Sequence, residues 1–277
     1  MIDLHTHTNE SDGSLPPARL VEDAAALGLE ALAICDHDTL AGYEQALPRA
    51  AELGVELVCG IELSTKLDGR SVHLLGYFLD GPPPAPFSDW VLEMQASRRD
   101  RNRRMAERLR SLGIDITLEE VVRKGRSLTG RPHFAKVMVE KGYVGTIQEA
   151  FDEFLDESAK GYVDRREPRL DEGIEKLNAA GGLASLAHPV RLCRRNPERL
   201  RKLVGQMKDA GLGGIEVYHS DHSARETEEY LRVARELDLA ITGGSDFHGE
   251  AKPGVRLGVG AGGLNIPRSV LDRLRER

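Results

Sequence analysis

The chain has 277 residues, of which 40% are hydrophobic and 30% charged, and its net charge at neutral pH is −7. These values are typical of a soluble globular protein with a sizeable core, and the negative balance argues against a surface that coats nucleic acid. No apolar run approaches the length of a membrane span, the first residues lack the features of a signal peptide, and the cysteines do not form a disulfide framework. We therefore expect a reduced, cytoplasmic protein with no membrane partner.

Short apolar runs alternate with amphipathic stretches through the first eighty residues. They predict strands at 2–4, 31–35, 55–59 and 71–78, a first helix from the Pro16-Pro17 pair to Leu27, and a second over 41–53. Ser14 is the expected N-cap of the first helix, and Pro48 predicts a kink or a break in the second. This alternation predicts βα units around a parallel sheet.

A helical interval interrupts this pattern. Residues 81–86 are rich in proline and predict a linker, and the sequence from 88 to about 161 is almost wholly helical in pattern. From residue 170 strands are again predicted, at 183–187, 214–218 and 240–242, between helices at 170–180, 197–210, 224–237 and 269–275. The sequence thus predicts a barrel formed by 1–80 and 165–277, with an inserted helical subdomain at 81–164 that would cap the substrate.

Most of the histidines follow predicted strands. The residues at or just beyond a strand's C-terminal end are His5, His7, His37, Glu62, His188, His219, Asp246 and His248. In (βα) barrels this end is the catalytic face. His5 and His7 project to one face of a strand, and Asp246 and His248 repeat their spacing. Nitrogen and oxygen ligands gathered in this way suit Zn²⁺, Mn²⁺ or Fe²⁺.

Other residues near these strands have two interpretations. Asp12 lies on a Gly-containing turn and can fold back over the two rings of the first strand. His73 lies inside a predicted strand and is either a further ligand or a satisfied strand histidine. Asp36 and Asp38 flank His37, and one of them is expected to hold its ring, as metal-bound histidines usually require.

The ordered motifs DLHTHTNESDG, CDHD, GIE, His73, AHP and GSDFH resemble the PHP (polymerase and histidinol phosphatase) family. The resemblance covers residues 1–78 and 170–250 and implies a distorted (βα)₇ barrel with up to three metal ions. By motif, it implies one metal held by His5, His7, Glu62 and Asp246. It implies a second held by Glu62, His73 and His188, and a third held by Asp12, His37 and His248.

Phosphate ester hydrolysis is very slow without a catalyst. A cluster of metal ions would supply both a nucleophile and positive charge at the phosphate. A hydroxide that bridges two divalent ions is a strong nucleophile, and the ions neutralise the phosphoryl oxygens. The expected cofactors are two or three ions, with Mn²⁺ first and Fe²⁺ or Zn²⁺ as alternatives. Asp246 and His248 are expected to act in catalysis. His222 could be the proton donor or merely a surface residue.

The predicted insertion carries basic residues suited to substrate. Arg98, Arg101 and Asn102 are spaced to share one helix face, which either binds substrate or is simply solvated. Arg131 and His133 lie at a helix start, where free N–H groups favour an anion. Together with His219 they are predicted to bind a second phosphate and a base edge or ribose.

A PHP barrel interrupted by an insert with RxxRN and GRPHF is similar to bacterial 3′,5′-nucleoside bisphosphate phosphatases. That resemblance implies removal of the 3′-phosphate from adenosine 3′,5′-bisphosphate, giving AMP, and trimming of short 5′-phosphorylated RNA from its 5′ end. The alternatives are a histidinol-phosphate phosphatase, against which the arginine-rich insert argues, and a non-catalytic metal-binding scaffold. A C–N bond hydrolase is disfavoured because no metal-bridging lysine motif is present. No obligate protein partner is expected.

Overall fold

A computed structural model describes residues 1–125, 128–193 and 196–277. Seven strands form one sheet in chain order. They are β1 (Ile2–Thr6), β2 (Ala31–Ile34), β3 (Glu56–Leu67), β4 (Arg70–Phe78), β5 (Leu183–Leu186), β6 (Gly214–His219) and β7 (Ala240–Gly244). The strands are rich in buried apolar residues, as expected for a sheet that is covered by helices.

Ten α-helices lie in the described residues. They are α1 (Pro17–Ala26), α2 (Ala41–Leu53), α3 (Ala85–Ser111), α4 (Leu118–Val122), α5 (Arg131–Glu140), α6 (Ile147–Ala150), α7 (Leu170–Ala179), α8 (Pro197–Asp209), α9 (Ala224–Glu236) and α10 (Ser269–Arg275). Their ends have local causes. For example, α9 begins at a capping box in which Ser223 and Glu226 each accept the other's backbone N–H, and α2 ends at Gly54 with a φ of 69°.

The sheet curls into a nearly closed barrel because its first and last strands meet. The backbone N–H of Asp246 donates to the carbonyl of His5 at 2.8 Å, and that of His7 donates to Phe247 at 2.9 Å. Gly244 permits this approach, since a Cβ there would lie 2.2 Å from the backbone nitrogen of His5. The predicted α/β barrel of seven strands is therefore confirmed.

The expectation of a parallel sheet is wrong at β4, which is antiparallel to both β3 and β5. The third strand is also much longer than predicted and runs directly into a hairpin. Asp68 and Gly69 form its turn with φ values of 50° and 78°, the left-handed conformation that two-residue hairpins favour. The Asp-Gly pair was the sequence signal for this turn. The remaining neighbouring pairs in the order β1 to β7 are parallel.

Two expectations about helix ends and breaks are wrong. Ser14 does not cap α1, which has Pro16 at its N-cap, and its hydroxyl instead accepts the backbone N–H of Glu250 at 2.9 Å. The helix α2 continues through Pro48 without a break. A break at Pro48 is therefore wrong, and a kink there stays a prediction.

Helices α3 to α6, with a π-turn at Phe151–Leu155, lie between β4 and β5 in the chain. They pack around an apolar cluster of their own that includes Met105, Leu109, Phe134 and Met138. The division into residues 1–80 with 165–277 and residues 81–164 stays a prediction.

Two expectations from the sequence concern membrane spans and disulfide bonds. Of the helices in the described ranges, none combines the length and the apolar character needed to cross a bilayer. Cys35, Cys59 and Cys193 are buried and free, so the structure pairs none of them in a disulfide.

Candidate metal centre and substrate pocket

Glu62 is the hub of the histidine cluster at the open end of the barrel. Its Oε2 lies 3.4 Å from His5 Nε2 and 3.2 Å from His7 Nε2. Its other oxygen, Oε1, lies 2.8 Å from His73 Nδ1 and 2.9 Å from His188 Nε2. One carboxylate thus faces two groups of imidazoles, one with each of its oxygens.

Asp12 turns back over the same centre, on the side of His37 and His248. Its Oδ1 lies 3.3 Å from His248 Nε2, and its Oδ2 lies 3.7 Å from His37 Nε2. The ring of His37 also contacts Glu62, at 3.2 Å from Nδ1 to Oε2, and His7 Nδ1 lies 3.7 Å from Asp12. The Gly-containing turn therefore brings Asp12 to the cluster.

Asp246 joins the two ends of the chain at the centre. Its Oδ1 lies 3.3 Å from His7 Nε2 and 3.5 Å from His5 Nε2, while its Oδ2 lies 3.3 Å from His219 Nε2. The imidazole of His219, which the sequence assigns to substrate, therefore lies among the candidate ligands. Ligand atoms of His219, His5 and Glu216 lie close enough together to hold one ion.

The unsatisfied atoms of this cluster fit divalent cations. Several buried ring nitrogens have no hydrogen-bond partner among the described residues: His5 Nε2, His7 Nδ1, His7 Nε2, His37 Nδ1 and His219 Nε2. A bare cluster of this kind is costly unless cations fill it. Nitrogen and carboxylate oxygen donors are the ligand set of Mn²⁺, Fe²⁺ and Zn²⁺.

The charges of the cluster also favour the binding of cations. Burial alone would lower the pKa of His7, but the adjacent carboxylates of Asp246 and Glu62 outweigh it and raise that pKa to about 10. Burial likewise opposes ionisation of Glu62, yet the surrounding histidines hold its pKa well below its ordinary value. The carboxylates therefore stay ionised and attract positive charge to the centre.

Glu216 is a functional residue that the sequence analysis missed. It is buried, its Oε1 lies 2.8 Å from His5 Nδ1, and its Oε2 accepts the backbone N–H of His188 at 2.7 Å. Although burial opposes it, the charges of His5 and His219 lower the pKa of Glu216 to about 2. Glu216 thus orients one candidate ligand and the backbone of another. The available signal was a carboxylate between Ile215 and Val217 in a buried strand.

The two aspartates that flank His37 do not hold its ring. Asp36 accepts from the Thr8 backbone N–H and hydroxyl and from the Ser11 hydroxyl, at 2.6–2.8 Å. Asp38 accepts the backbone N–H of Ser64 at 2.8 Å and turns toward the insertion. The expectation of a carboxylate on His37 from this pair is wrong, since both are occupied elsewhere.

Three residues next to or within the cluster have an unusual backbone. Asp38, His188 and Asp246 have φ values of 51°, 26° and 57°, a region that non-glycine residues rarely occupy. Such conformations cost about 1–3 kcal/mol each and persist where the surroundings enforce them. Their concentration at the strand ends shows that the backbone there is shaped to aim side chains.

A cavity of about 140 Å³ adjoins the cluster, between the barrel and α3 to α6. Asp12, His37 and His73 line one side of it. Of the residues that the structure describes, four arginines also line it, and they are Arg98, Arg101, Arg131 and Arg165. A substrate in the cavity would therefore touch both the cluster and a strongly cationic wall.

Asp38 ties two of these arginines to the barrel. Arg98 donates to Asp38 and to the Ser64 hydroxyl, the latter at 2.9 Å, and Arg165 donates to Asp38 at 3.2 Å. Although burial alone would raise it, these two guanidinium groups hold the pKa of Asp38 well below its ordinary value. Arg165 was not predicted, because nothing in the sequence links it to Asp38.

Arg101 is the least compensated of the four. It is only 4% exposed, and among the described residues it makes no ion pair and its Nε has no hydrogen-bond partner. Burial and the charges of Arg98, Arg165 and Arg131 lower the pKa of Arg101 well below its ordinary value. A solvated helix face is therefore wrong for this part of α3, and an anion is what this guanidinium lacks.

Asn102 and His133 contact the backbone near the start of α5. Asn102 Nδ2 donates to the Thr129 carbonyl at 2.8 Å, and His133 Nδ1 accepts the Gly130 N–H at 3.0 Å. Burial lowers the pKa of His133 to about 4, so the ring is a neutral acceptor. Arg131 remains in the cavity, with its guanidinium 5.8 Å from the Tyr162 ring centre. The substrate roles of Asn102 and His133 stay predictions.

His222 lies behind His219. Its Nδ1–H donates to the Val217 carbonyl at 2.9 Å, and its ring centre is 5.1 Å from that of His219. It does not line the cavity beside the arginines. Its role as a proton donor stays a prediction.

A barrel whose strand ends gather imidazoles and carboxylates around a shared centre is the architecture of a metal-dependent hydrolase. The family model for the PHP domain matches residues 3–210, and the chain belongs to this family. It is a phosphoesterase, a hydrolase that acts on phosphate esters, and its clustered ligands form a divalent metal site.

Named relatives cover nearly the whole chain. A 5′-3′ exoribonuclease of Haemophilus influenzae is 34% identical over 89% of this chain and 89% of its own length. A 3′,5′-nucleoside bisphosphate phosphatase of Chromobacterium violaceum is 30% identical over 93% and 90%. A solved structure from Bifidobacterium adolescentis, assigned as a metal-dependent phosphoesterase, aligns with a TM-score of 0.84 and 34% identity over 98% of this chain and 94% of that one.

Proposed function

We propose that this chain hydrolyses the 3′-phosphate of nucleoside 3′,5′-bisphosphates, with adenosine 3′,5′-bisphosphate giving AMP and phosphate, and also shortens 5′-phosphorylated RNA from its 5′ end. The observation that carries the proposal is the uncompensated Arg101 within a wall of four arginines beside the metal centre. A bisphosphate offers one phosphate to the metals and a second to these guanidinium groups. Relatives named for both activities support the same substrate class.

The two ends of the cavity would have separate tasks. Glu62, Asp246 and the surrounding histidines would hold two or three divalent ions, Mn²⁺ first. When bound, these ions activate water and neutralise the phosphoryl oxygens. Glu216 would keep His5 oriented for this, since its carboxylate accepts a hydrogen bond from His5 Nδ1–H. Asp12, His37 and His248 would complete the centre on the side that faces the cavity.

The arginine wall would select the substrate. Arg98 and Arg165 are held in place by Asp38, so their orientation is set before substrate arrives. Arg101 and Arg131 would complete the second phosphate site. The same wall disfavours histidinol phosphate, whose ammonium and imidazole groups would meet like charge. A non-catalytic scaffold has no need for a cationic cavity at the metal ligands.

The test is release of phosphate or of shortened RNA with Mn²⁺ present. The substrates are adenosine 3′,5′-bisphosphate, adenosine 3′-monophosphate, a 5′-phosphorylated RNA oligonucleotide and histidinol phosphate. Adenosine 3′-monophosphate is the matched control, because it lacks only the 5′-phosphate. We expect kcat/KM for the bisphosphate to exceed that of the monophosphate by about 10-fold or more. This factor corresponds to the free energy of one hydrogen bond between charged groups. Equal rates for the two, or a preference for histidinol phosphate, would refute the assignment.

A further inference from the structure

Two cations lie against Asp246 on a different part of the barrel rim. Arg191 ends the short turn Pro189–Arg191 that follows β5, and Lys252 follows the turn Gly249–Ala251 after β7. Arg191 donates to Asp246 Oδ2 at 2.9 Å and to Asp221 Oδ2 at 2.7 Å. Lys252 Nζ donates to the same oxygen of Asp246 at 2.8 Å. The proposed mechanism uses neither residue.

These cations are separate from the arginine wall. The wall lies beside Ser64 on β3 and His73 on β4, whereas Arg191 and Lys252 follow β5 and β7. In a barrel whose strands run in chain order, β7 lies three strands from both β3 and β4, so Lys252 lies across the mouth from the wall, whereas Arg191 follows β5, the neighbour of β4. Neither Arg191 nor Lys252 lines the cavity that holds the four arginines. The metal centre therefore lies between two cationic groups.

Both cations pair with carboxylates at the rim and still remain open to solvent. Asp246 accepts both of them through one oxygen, Oδ2, while its Oδ1 faces His5 and His7. Asp221 is then the remaining carboxylate partner of Arg191 in the described residues. The side chains of Arg191 and Lys252 are 44% and 29% exposed, so an incoming anion can reach them.

We propose that Arg191 and Lys252 form a subsite for the RNA phosphodiester on the 3′ side of the scissile phosphate. The inference rests on the proposed function. With the 5′-phosphate at the arginine wall and the scissile phosphate at the metals, the rest of an RNA chain would leave past Asp246, toward the rim between β5 and β7. A nucleoside bisphosphate has no group that extends there. This subsite therefore sets the preference for RNA relative to mononucleotide.

The reaction served by the subsite breaks the same bond in both substrates. Water adds its oxygen to the scissile phosphorus, the bond from phosphorus to the 3′ oxygen breaks, and that oxygen takes up a proton. From a bisphosphate the products are a nucleoside 5′-monophosphate and phosphate. From RNA they are the same monophosphate and a shorter RNA that keeps a 5′-phosphate. Only the second product extends across Arg191 and Lys252.

The experiment compares Arg191→Gln and Lys252→Gln with Arg225→Gln, an exposed arginine on α9 that serves as the charge-matched control. The ratio of kcat/KM for a 5′-phosphorylated RNA trinucleotide over that for adenosine 3′,5′-bisphosphate is measured with Mn²⁺, together with bound metal. We expect the ratio to fall about tenfold in each rim variant and to stay unchanged in Arg225→Gln. If the ratio is unchanged and bound metal falls, the two cations only orient Asp246, and the proposal is overturned.

A second measurement separates the subsite from the proposed activity. Binding of a 3′-labelled, 5′-phosphorylated RNA to the chelator-treated protein is followed by fluorescence anisotropy across salt concentrations. We expect weaker binding in each rim variant, and a slope of log affinity against log salt that is smaller by about 0.7 per cation removed. If wild type hydrolyses neither substrate, the proposed function fails, whereas rim variants whose RNA binding matches wild type in affinity and slope overturn the subsite.

Discussion

Replacing Arg101 by methionine should weaken substrate binding without weakening the fold. Arg101 is buried, lacks an ion pair among the described residues, and lies near three further arginines. Methionine keeps much of the side-chain volume but removes a desolvated charge and its repulsion by like charges. We therefore expect the free energy of unfolding to stay equal or to rise by about 1 kcal/mol.

The cost of Arg101→Met should appear in recognition of the second phosphate. A hydrogen bond between charged groups contributes about 1.5–3 kcal/mol, which corresponds to a rise in KM of about 10- to 150-fold for a nucleoside bisphosphate. For adenosine 3′-monophosphate, which lacks the 5′-phosphate, the change should stay within about threefold. The matched control is Arg98→Met, three residues earlier on α3, which removes a partner of buried Asp38. That variant should lose about 3 kcal/mol of stability, because buried Asp38 then loses one of its two guanidinium partners and keeps only Arg165.

Urea unfolding measures the stability of the two variants, and steady-state kinetics measure their KM values for the two substrates. The expected pattern is a stable Arg101→Met protein with impaired use of the bisphosphate alone, and an Arg98→Met protein that is both less stable and impaired. A clear loss of stability in Arg101→Met, with KM values that change equally for both substrates, would show that Arg101 is structural. The argument for an anion site at the arginine wall would then be wrong.

Three further predictions follow from the centre and its supports. Asp246→Asn removes a ligand charge and should abolish phosphate release with an unchanged circular dichroism spectrum; normal turnover would refute the metal assignment. Glu216→Gln replaces the charged acceptor of His5 by a neutral amide and should weaken metal binding about 10- to 100-fold in a chelator competition assay, and an unchanged affinity would contradict its orienting role. The pKa of His133 is lowered to about 4, below its unfolded value of about 6.5, so its neutral form stabilises the fold above pH 6.5. This contribution, up to about 3 kcal/mol, should be lost as pH falls from 6.5 to 4, and His133→Gln should flatten that part of the stability curve; parallel curves would disprove it.

Much of the site could be predicted because it depends on local rules. The spacing of His5 and His7 follows from strand alternation, and the positions of Asp246 and His248 beside them follow from barrel closure. Both rules act on residues that the sequence shows directly. The helices α1, α2 and α7 to α10 were predicted within a few residues because apolar periodicity and terminal glycines mark several of them, as at α2 and Gly54.

The remaining features depend on contacts between distant segments. Arg165 meets Asp38 across 127 positions of chain, and Glu216 meets His5 across 211, so no local pattern could pair them. The β3–β4 hairpin is a different case. Its Asp68-Gly69 turn carried a signal, but the repeated βα pattern favoured a parallel interpretation of the strand that followed.

The most direct test of the account is anomalous diffraction from crystals grown with Mn²⁺ and a nucleoside 5′-monophosphate. This experiment tests whether strand ends that are distant in the chain hold several ions around Glu62. We predict one manganese peak among His5, His7, Glu62 and Asp246 and another among Glu62, His73 and His188, with the 5′-phosphate against Arg101. Absence of manganese at Glu62, or a nucleotide bound away from the arginine wall, would contradict the account.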